Sequence, residues 1–212
     1  MTNIKWPGAA FAVGPLCMTV YGLIRLTDDV HGPGFAWSAS HLALLAGVLA
    51  FVPVFLRLRR SAARGRGAAG RWFAGAAAAA GLLGVVAVTA QAVIDLVVGF
   101  LSEDRGAMND LFQRVQDQPG VMPAVYTVGP VLFYVGLVLL TVWLAALRRT
   151  EAWRPAVIVA GVAVMAVSLD LLPLGGLLFL LALAPLGRRA PDRAGRLTAR
   201  TRSPHDQGVR GA

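Results

Sequence analysis

Long apolar runs separated by clusters of arginine constrain this chain more than any other feature. Hydrophobic residues make up 57% of its 212 residues and charged residues only 15%, whereas an ordinary soluble domain carries about 25% charged residues. A soluble domain must cover its surface with polar side chains, and this composition does not supply them. The pattern therefore predicts an all-α integral membrane protein that crosses the bilayer several times.

A membrane-spanning helix requires about 20 predominantly apolar residues. Six segments approach that length: about 7–24, 35–56, 72–100, 125–147, 155–170 and 173–187. The last two are separated only by the Leu-Leu-Pro-Leu-Gly-Gly stretch at 171–176, because proline and paired glycines interrupt helices. One kinked helix over 155–187 is the alternative. We predict one six-helix transmembrane domain over residues 1–187.

The arginines predict the orientation of this domain. Linker 57–71 carries six, linker 148–154 three and the tail after Gly187 seven, and Lys5 brings this set to 17 of the 20 basic residues. Basic residues concentrate on the cytoplasmic side of membrane proteins. We therefore expect both termini inside, a location in the cytoplasmic (inner) membrane, and a basic, disordered tail over 188–212. The arginine, alanine and glycine usage is typical of a GC-rich bacterial genome.

Several classes of protein do not fit this chain. Cys17 is the only cysteine, and the three histidines lie far apart in sequence, so no metal or cofactor site is expected. A pI near 11.3 suggests nucleic-acid binding, but the arginines flank apolar runs with no aromatic-basic surface. We expect no nucleic-acid partner.

Polar side chains inside the spans are the candidates for function, since an ionisable group in a bilayer costs about 2.5–3.5 kcal/mol on insertion scales. In the predicted topology they all lie in the outer half of the membrane. Asp95 and His41 are the candidate catalytic residues, because they are able to move a proton. The candidate ligand-binding residues are Arg25, Tyr21, Ser38, Gln91 and Tyr126.

Asp95 requires a nearby cation if it is to stay ionised in the bilayer, and Arg25 and His41 are its candidate partners. In the functional interpretation these residues form an outward-facing polar pocket, in which Arg25 holds an anionic group. In the structural interpretation they form an arginine–carboxylate clasp that orders the outer helix ends.

The sequence favours an accessory or binding protein, and recruitment of a protein partner is one role that fits it. A membrane enzyme acting on a lipid or amphiphilic substrate at the outer leaflet is one alternative, and a small transporter is the other. The lipid bilayer is the expected partner of the spans. The basic tail serves either as a contact for anionic lipid or only as a topology signal.

The predicted topology has a direct test. A reporter enzyme that works only in the cytoplasm should be active when it is fused after Ala212, because the arginine-rich linkers and tail are expected on that side. Activity of a periplasmic reporter at the same position would contradict six spans with both termini inside.

Overall fold

The computed structural model of the protein describes residues 6–28 and 31–188. The regular structure in these ranges is entirely helical, which confirms the all-α class. The seven α-helices are α1 (Trp6–Thr27), α2 (Phe35–Ala63), α3 (Ala68–Leu101), α4 (Arg105–Gln116), α5 (Gly129–Ala146), α6 (Trp153–Val167) and α7 (Leu172–Arg188). A π-helical segment, Met122–Val128, leads into α5, and a short 3-10 turn, Leu169–Leu171, joins α6 to α7. The basic tail falls almost wholly outside the described residues.

Within the residues that the structure describes, five helices are long and apolar enough to cross a membrane, so six spans are not confirmed. They are Gly8–Thr27, Phe35–Ala63, Ala68–Leu101, Met122–Ala146 and Leu169–Arg188. The sixth segment forms only the 15-residue helix α6, about 22 Å long at 1.5 Å per residue. That is shorter than the roughly 30 Å hydrocarbon core of a bilayer.

The ends of several helices differ from the sequence prediction. Helix α2 continues to Ala63, past the expected end at residue 56, because arginine side chains extend their charge to water without interrupting a helix. The break between α6 and α7 comes earlier than expected, at Ser168, which is extended and caps the 3-10 turn. Pro173 is the second residue of α7, where its missing N–H has no helical partner to lose.

Six of the helices form a closed ring. Helices α1, α2, α3, α5, α6 and α7 each pack against the next, and α7 returns to pack against α1. Helix α4 is outside the ring and contacts α3. We call the end of the bundle with α4 the α4 end, and the end formed by linkers 64–67 and 147–152 the arginine end.

Glycines allow the helices of the ring to approach closely. A Cβ atom added at Gly136 of α5 would lie 2.4 Å from the backbone nitrogen of Gly81 on α3. One added at Gly8 of α1 would lie 2.7 Å from the carbonyl oxygen of Gly187 on α7. Small residues at such positions bring two backbones together and maximise van der Waals contact in a bilayer.

The middle of the ring is filled by aromatic side chains. Phe51 and Phe55 of α2 are fully buried, and their rings lie 4.9 Å and 5.5 Å from that of Phe133 on α5. Both contacts have the edge-to-face geometry that aromatic pairs prefer. The bundle therefore has a packed interior between α2 and α5.

Arginine side chains tie the arginine end together. Arg149 donates to the carbonyl oxygens of Ser61 and Arg64 at the end of α2. Arg154 is buried, pairs with Glu151, and donates to the Ala182 carbonyl oxygen of α7 at 2.7 Å. The Arg149 contacts supply donors to carbonyl groups at the end of α2, and the Arg154 contact joins α6 to α7.

The close approach of α3 and α5 generates a testable prediction. Gly136→Ala should destabilise the protein by roughly 1–3 kcal/mol, because its new methyl group meets backbone atoms that cannot rotate away. Gly75→Ala on α3 is the matched control, since a Cβ atom there has open space around it. Thermal unfolding in detergent should show a lower midpoint for Gly136→Ala and an unchanged or higher one for Gly75→Ala. Equal midpoints for the two variants would contradict the close approach of α3 and α5, which we call the α3–α5 seam.

Candidate functional site

A polar cluster is buried at the α4 end, where α1, α2, α3 and the segment before α5 meet. We define it by Tyr21, Trp37, His41, Asp95 and Tyr126, which come from those four elements. Trp37 and His41 are four residues apart on α2, and such a spacing places two side chains on one helix face. Both charged members are nearly inaccessible, with 4% of His41 and 6% of Asp95 exposed.

Asp95 is held by two side chains from neighbouring helices. Its Oδ2 atom lies 3.5 Å from Nε2 of His41. Its Oδ1 atom accepts a hydrogen bond from the Tyr126 hydroxyl at 3.1 Å. Of the two partners proposed from sequence, His41 is the one that the structure places against this carboxyl group.

The backbone decides how the His41 ring is protonated. Its Nδ1 atom lies 2.8 Å from the carbonyl oxygen of Trp37, which can only accept, so Nδ1 carries a hydrogen. Nε2 then faces an Asp95 oxygen. The two atoms lie 3.5 Å apart, and a proton on either of them would make this contact attractive.

Trp37 joins this pair to α3 and α4. Its indole N–H donates to the backbone carbonyl of Asp95 at 2.8 Å, and its ring lies 4.1 Å from that of His41. Gly99 permits this approach, because a Cβ atom there would lie 2.4 Å from Cδ1 of Trp37. Phe112 of α4 contacts the indole at 6.0 Å between ring centres. Helix α4 thus covers the cluster on the side of Trp37.

Arg25 lies next to the cluster but is not part of its hydrogen-bond network with Asp95. Tyr21 meets the His41 ring edge-on at 5.5 Å, and the guanidinium of Arg25 neighbours the Tyr21 hydroxyl. The buried Nε atom of Arg25 has no hydrogen-bond partner among the described residues. Nor does any carboxylate in 6–28 and 31–188 form an ion pair with Arg25. Asp28 accepts instead from the His31 backbone N–H at 3.1 Å.

The remaining candidates from sequence lie outside these contacts. Ser38 and Gln91 are half-buried, and neither hydrogen-bonds to a cluster residue within the described part of the chain. The sequence did not lead us to select Trp37 or Ser40. The Ser40 hydroxyl also donates to the Trp37 carbonyl at 2.8 Å. The four-residue spacing of Trp37 and His41 is the sequence feature that could have identified Trp37.

Comparison with known proteins adds no relative to this description: no family model, curated protein or solved structure matches the chain. The described residues also contain no group of three histidine, cysteine, aspartate or glutamate side chains that could hold a metal ion. The interpretation of the site therefore rests on its own geometry.

The contacts of Asp95 predict a graded effect of substitution. Asp95→Ala should destabilise the protein by about 3 kcal/mol, because it leaves His41 Nε2 and the Tyr126 hydroxyl buried without a partner. Asp95→Asn should cost only roughly 1 kcal/mol, since its amide can donate to Nε2 and accept from Tyr126. Thermal unfolding in detergent measures both effects.

The exposed carboxylate of Asp110 on α4 provides the control. Asp110→Ala should change stability by less than about 0.5 kcal/mol. If Asp95→Ala were as stable as Asp110→Ala, the contacts of Asp95 with His41 and Tyr126 would not contribute to the free energy of unfolding, and the prediction would be wrong.

Proposed function

We propose that the protein is a membrane-embedded binding protein that takes an anionic group at the α4 end, where Arg25 supplies the opposite charge. One observation carries the proposal. Arg25 is half-buried with an unpartnered Nε among the described residues, while the nearby buried carboxyl group of Asp95 is occupied by His41 and Tyr126.

The chemistry of Arg25 favours an oxyanion as its ligand. A guanidinium presents several N–H donors in one plane, which match the oxygens of a phosphate or carboxylate group. The Tyr21 hydroxyl beside it adds a hydrogen-bonding group. A partly buried cation with no counter-charge among the described residues is unfavourable, and a bound anion would remove that penalty.

An enzymatic role for His41 and Asp95 has less support. One His41 nitrogen is engaged by the Trp37 carbonyl and the other faces Asp95. With 4% of the residue exposed, no ring nitrogen is left to accept a proton from a substrate. In our proposal the pair positions Tyr21, through the edge-on ring contact, rather than performing a reaction.

A transporter also has less support. Transport through the bundle would need a polar path from the cluster to the arginine end. Phe51, Phe55 and Phe133 fill the ring between the two ends. We propose that the α4 end faces outward from a bacterial cytoplasmic membrane and that the ligand approaches from that side.

Arg25→Gln tests the proposal. In neutral detergent, saturating inorganic phosphate or a soluble short-chain phosphatidic acid should raise the thermal midpoint of the wild-type protein, because a ligand that binds only the folded state stabilises it. The variant should lose that rise. A response to both probes would identify a general oxyanion site, and a response to the phosphatidic acid alone would identify a lipid headgroup site.

Arg114→Gln is the matched control, since Arg114 is an exposed arginine on α4 at the same end. This variant should retain the full response. Without ligand, Arg25→Gln should be as stable as the wild-type protein or more stable, because it removes a half-buried cation that has no carboxylate partner in 6–28 and 31–188. A marked loss of stability, together with no response of the wild-type protein to either probe, would instead make Arg25 a structural residue.

A further inference from the structure

Two exposed arginines lie at the arginine end of the seam between α3 and α5. The two helices run antiparallel, with Gly81 opposite Gly136 and the Phe73 ring 4.7 Å from the Trp143 ring. Continued toward the linkers, this register places the first turn of α3 beside the end of α5. Arg71, in that first turn, and Arg148, two residues after α5, are both exposed at this end, and the Arg71 guanidinium donates to the Arg66 carbonyl oxygen at 2.9 Å.

Arg148 occupies a backbone conformation that favours glycine. Its φ angle is 54°, in the left-handed region. It terminates α5 in a motif in which its N–H donates to the Ala145 carbonyl and the N–H of Arg149 to the Leu144 carbonyl. Glycine is the usual residue at this position. The arginine is thus present at some cost in stability, and strain of this kind points to a role for the side chain.

Aromatic residues at the same level match the boundary of a lipid bilayer. Trp72, next to Arg71, is 79% exposed. Trp143, in the last turn of α5, lies at the same level with its ring against Phe73. Tryptophan is enriched where lipid headgroups meet the hydrocarbon core, because its ring is apolar and its N–H is polar.

The charge at this end is almost entirely positive. Glu151 is the only acidic side chain described at the arginine end, and it pairs with the buried Arg154. Along the outside of the same seam, large apolar side chains are exposed toward the bilayer: Leu83, Val86, Val135, Leu139 and Val142. A basic site thus stands directly above an apolar surface.

We propose that the arginine end of the α3–α5 seam binds the headgroup of an anionic phospholipid. Arg71 and Arg148 contact its phosphate, Trp72 lies beside the headgroup, and the acyl chains follow the apolar surface of the seam. Basic residues at the membrane surface attract anionic lipids over zwitterionic ones. This site is on the opposite end of the bundle from Arg25 and does not depend on the function proposed above.

Two variants of the full-length protein test this site. The protein is reconstituted in nanodiscs of equal parts phosphatidylglycerol and phosphatidylcholine, and the lipids it retains are measured by native mass spectrometry. Arg71→Gln and Arg148→Gly should each lower the retained ratio of phosphatidylglycerol to phosphatidylcholine several-fold. Arg148→Gly should at the same time raise the thermal midpoint in detergent, because it relieves the backbone strain. Loss of lipid by that variant could not then result from unfolding.

Arg188→Gln is the matched control. Arg188 ends α7, at the arginine end but away from α3 and α5 in the ring, and this variant should keep the wild-type ratio. An equal loss with Arg188→Gln would show diffuse attraction and overturn the site, as would an unchanged ratio in both seam variants. Displacement of the retained lipid by millimolar inorganic phosphate would also overturn it, in favour of a soluble anion.

Discussion

Close contact between helix backbones is the constraint on which this structure depends. In a bilayer, lipid tails are as apolar as leucine side chains, so burial of apolar surface does not by itself hold helices together. The ring closes instead through glycine positions, such as Gly136 against Gly81 and Gly8 against Gly187. The same constraint reaches the polar cluster through Gly99 of α3, because the Trp37 indole packs where a Cβ atom would otherwise lie.

Sequence could predict the class of fold and four members of the cluster, namely Tyr21, His41, Asp95 and Tyr126, because apolar runs located the helices and polar residues within them stood out. Trp37 was not selected, although it lies four residues before His41, because its indole is equally typical of a helix end at a membrane surface. Spacing does not define how each helix is rotated toward its neighbours. That rotation decides which residue pairs with Asp95, and it selects His41 and Tyr126 over Arg25. The length of α6 could not be predicted from sequence either, because the helix ends at the extended backbone of Ser168.

The two ends of the bundle use their polar residues differently. At the arginine end, Arg149 donates to backbone carbonyls at the end of α2 and Arg154 donates to a carbonyl of α7, so arginine there contributes to the packing of the helices. At the α4 end, the hydrogen bonds of His41, Asp95 and Trp37 close on one another. Arg25 is left at the edge of this closed network. The arginines at one end thus bond to backbone carbonyls, whereas Arg25 lies beside a hydrogen-bond network. Net charge alone could not distinguish these two settings.

The half-buried position of Arg25 has a consequence for how an anion in solution approaches the protein. The surrounding apolar helices screen its charge less than water does. The exposed carboxylates of Asp104, Asp110 and Asp117 at the same end oppose the approach of an anion, and salt screens exposed charges more strongly than a partly buried one. The long-range repulsion therefore weakens as ionic strength rises, whereas the short-range attraction of Arg25 is retained.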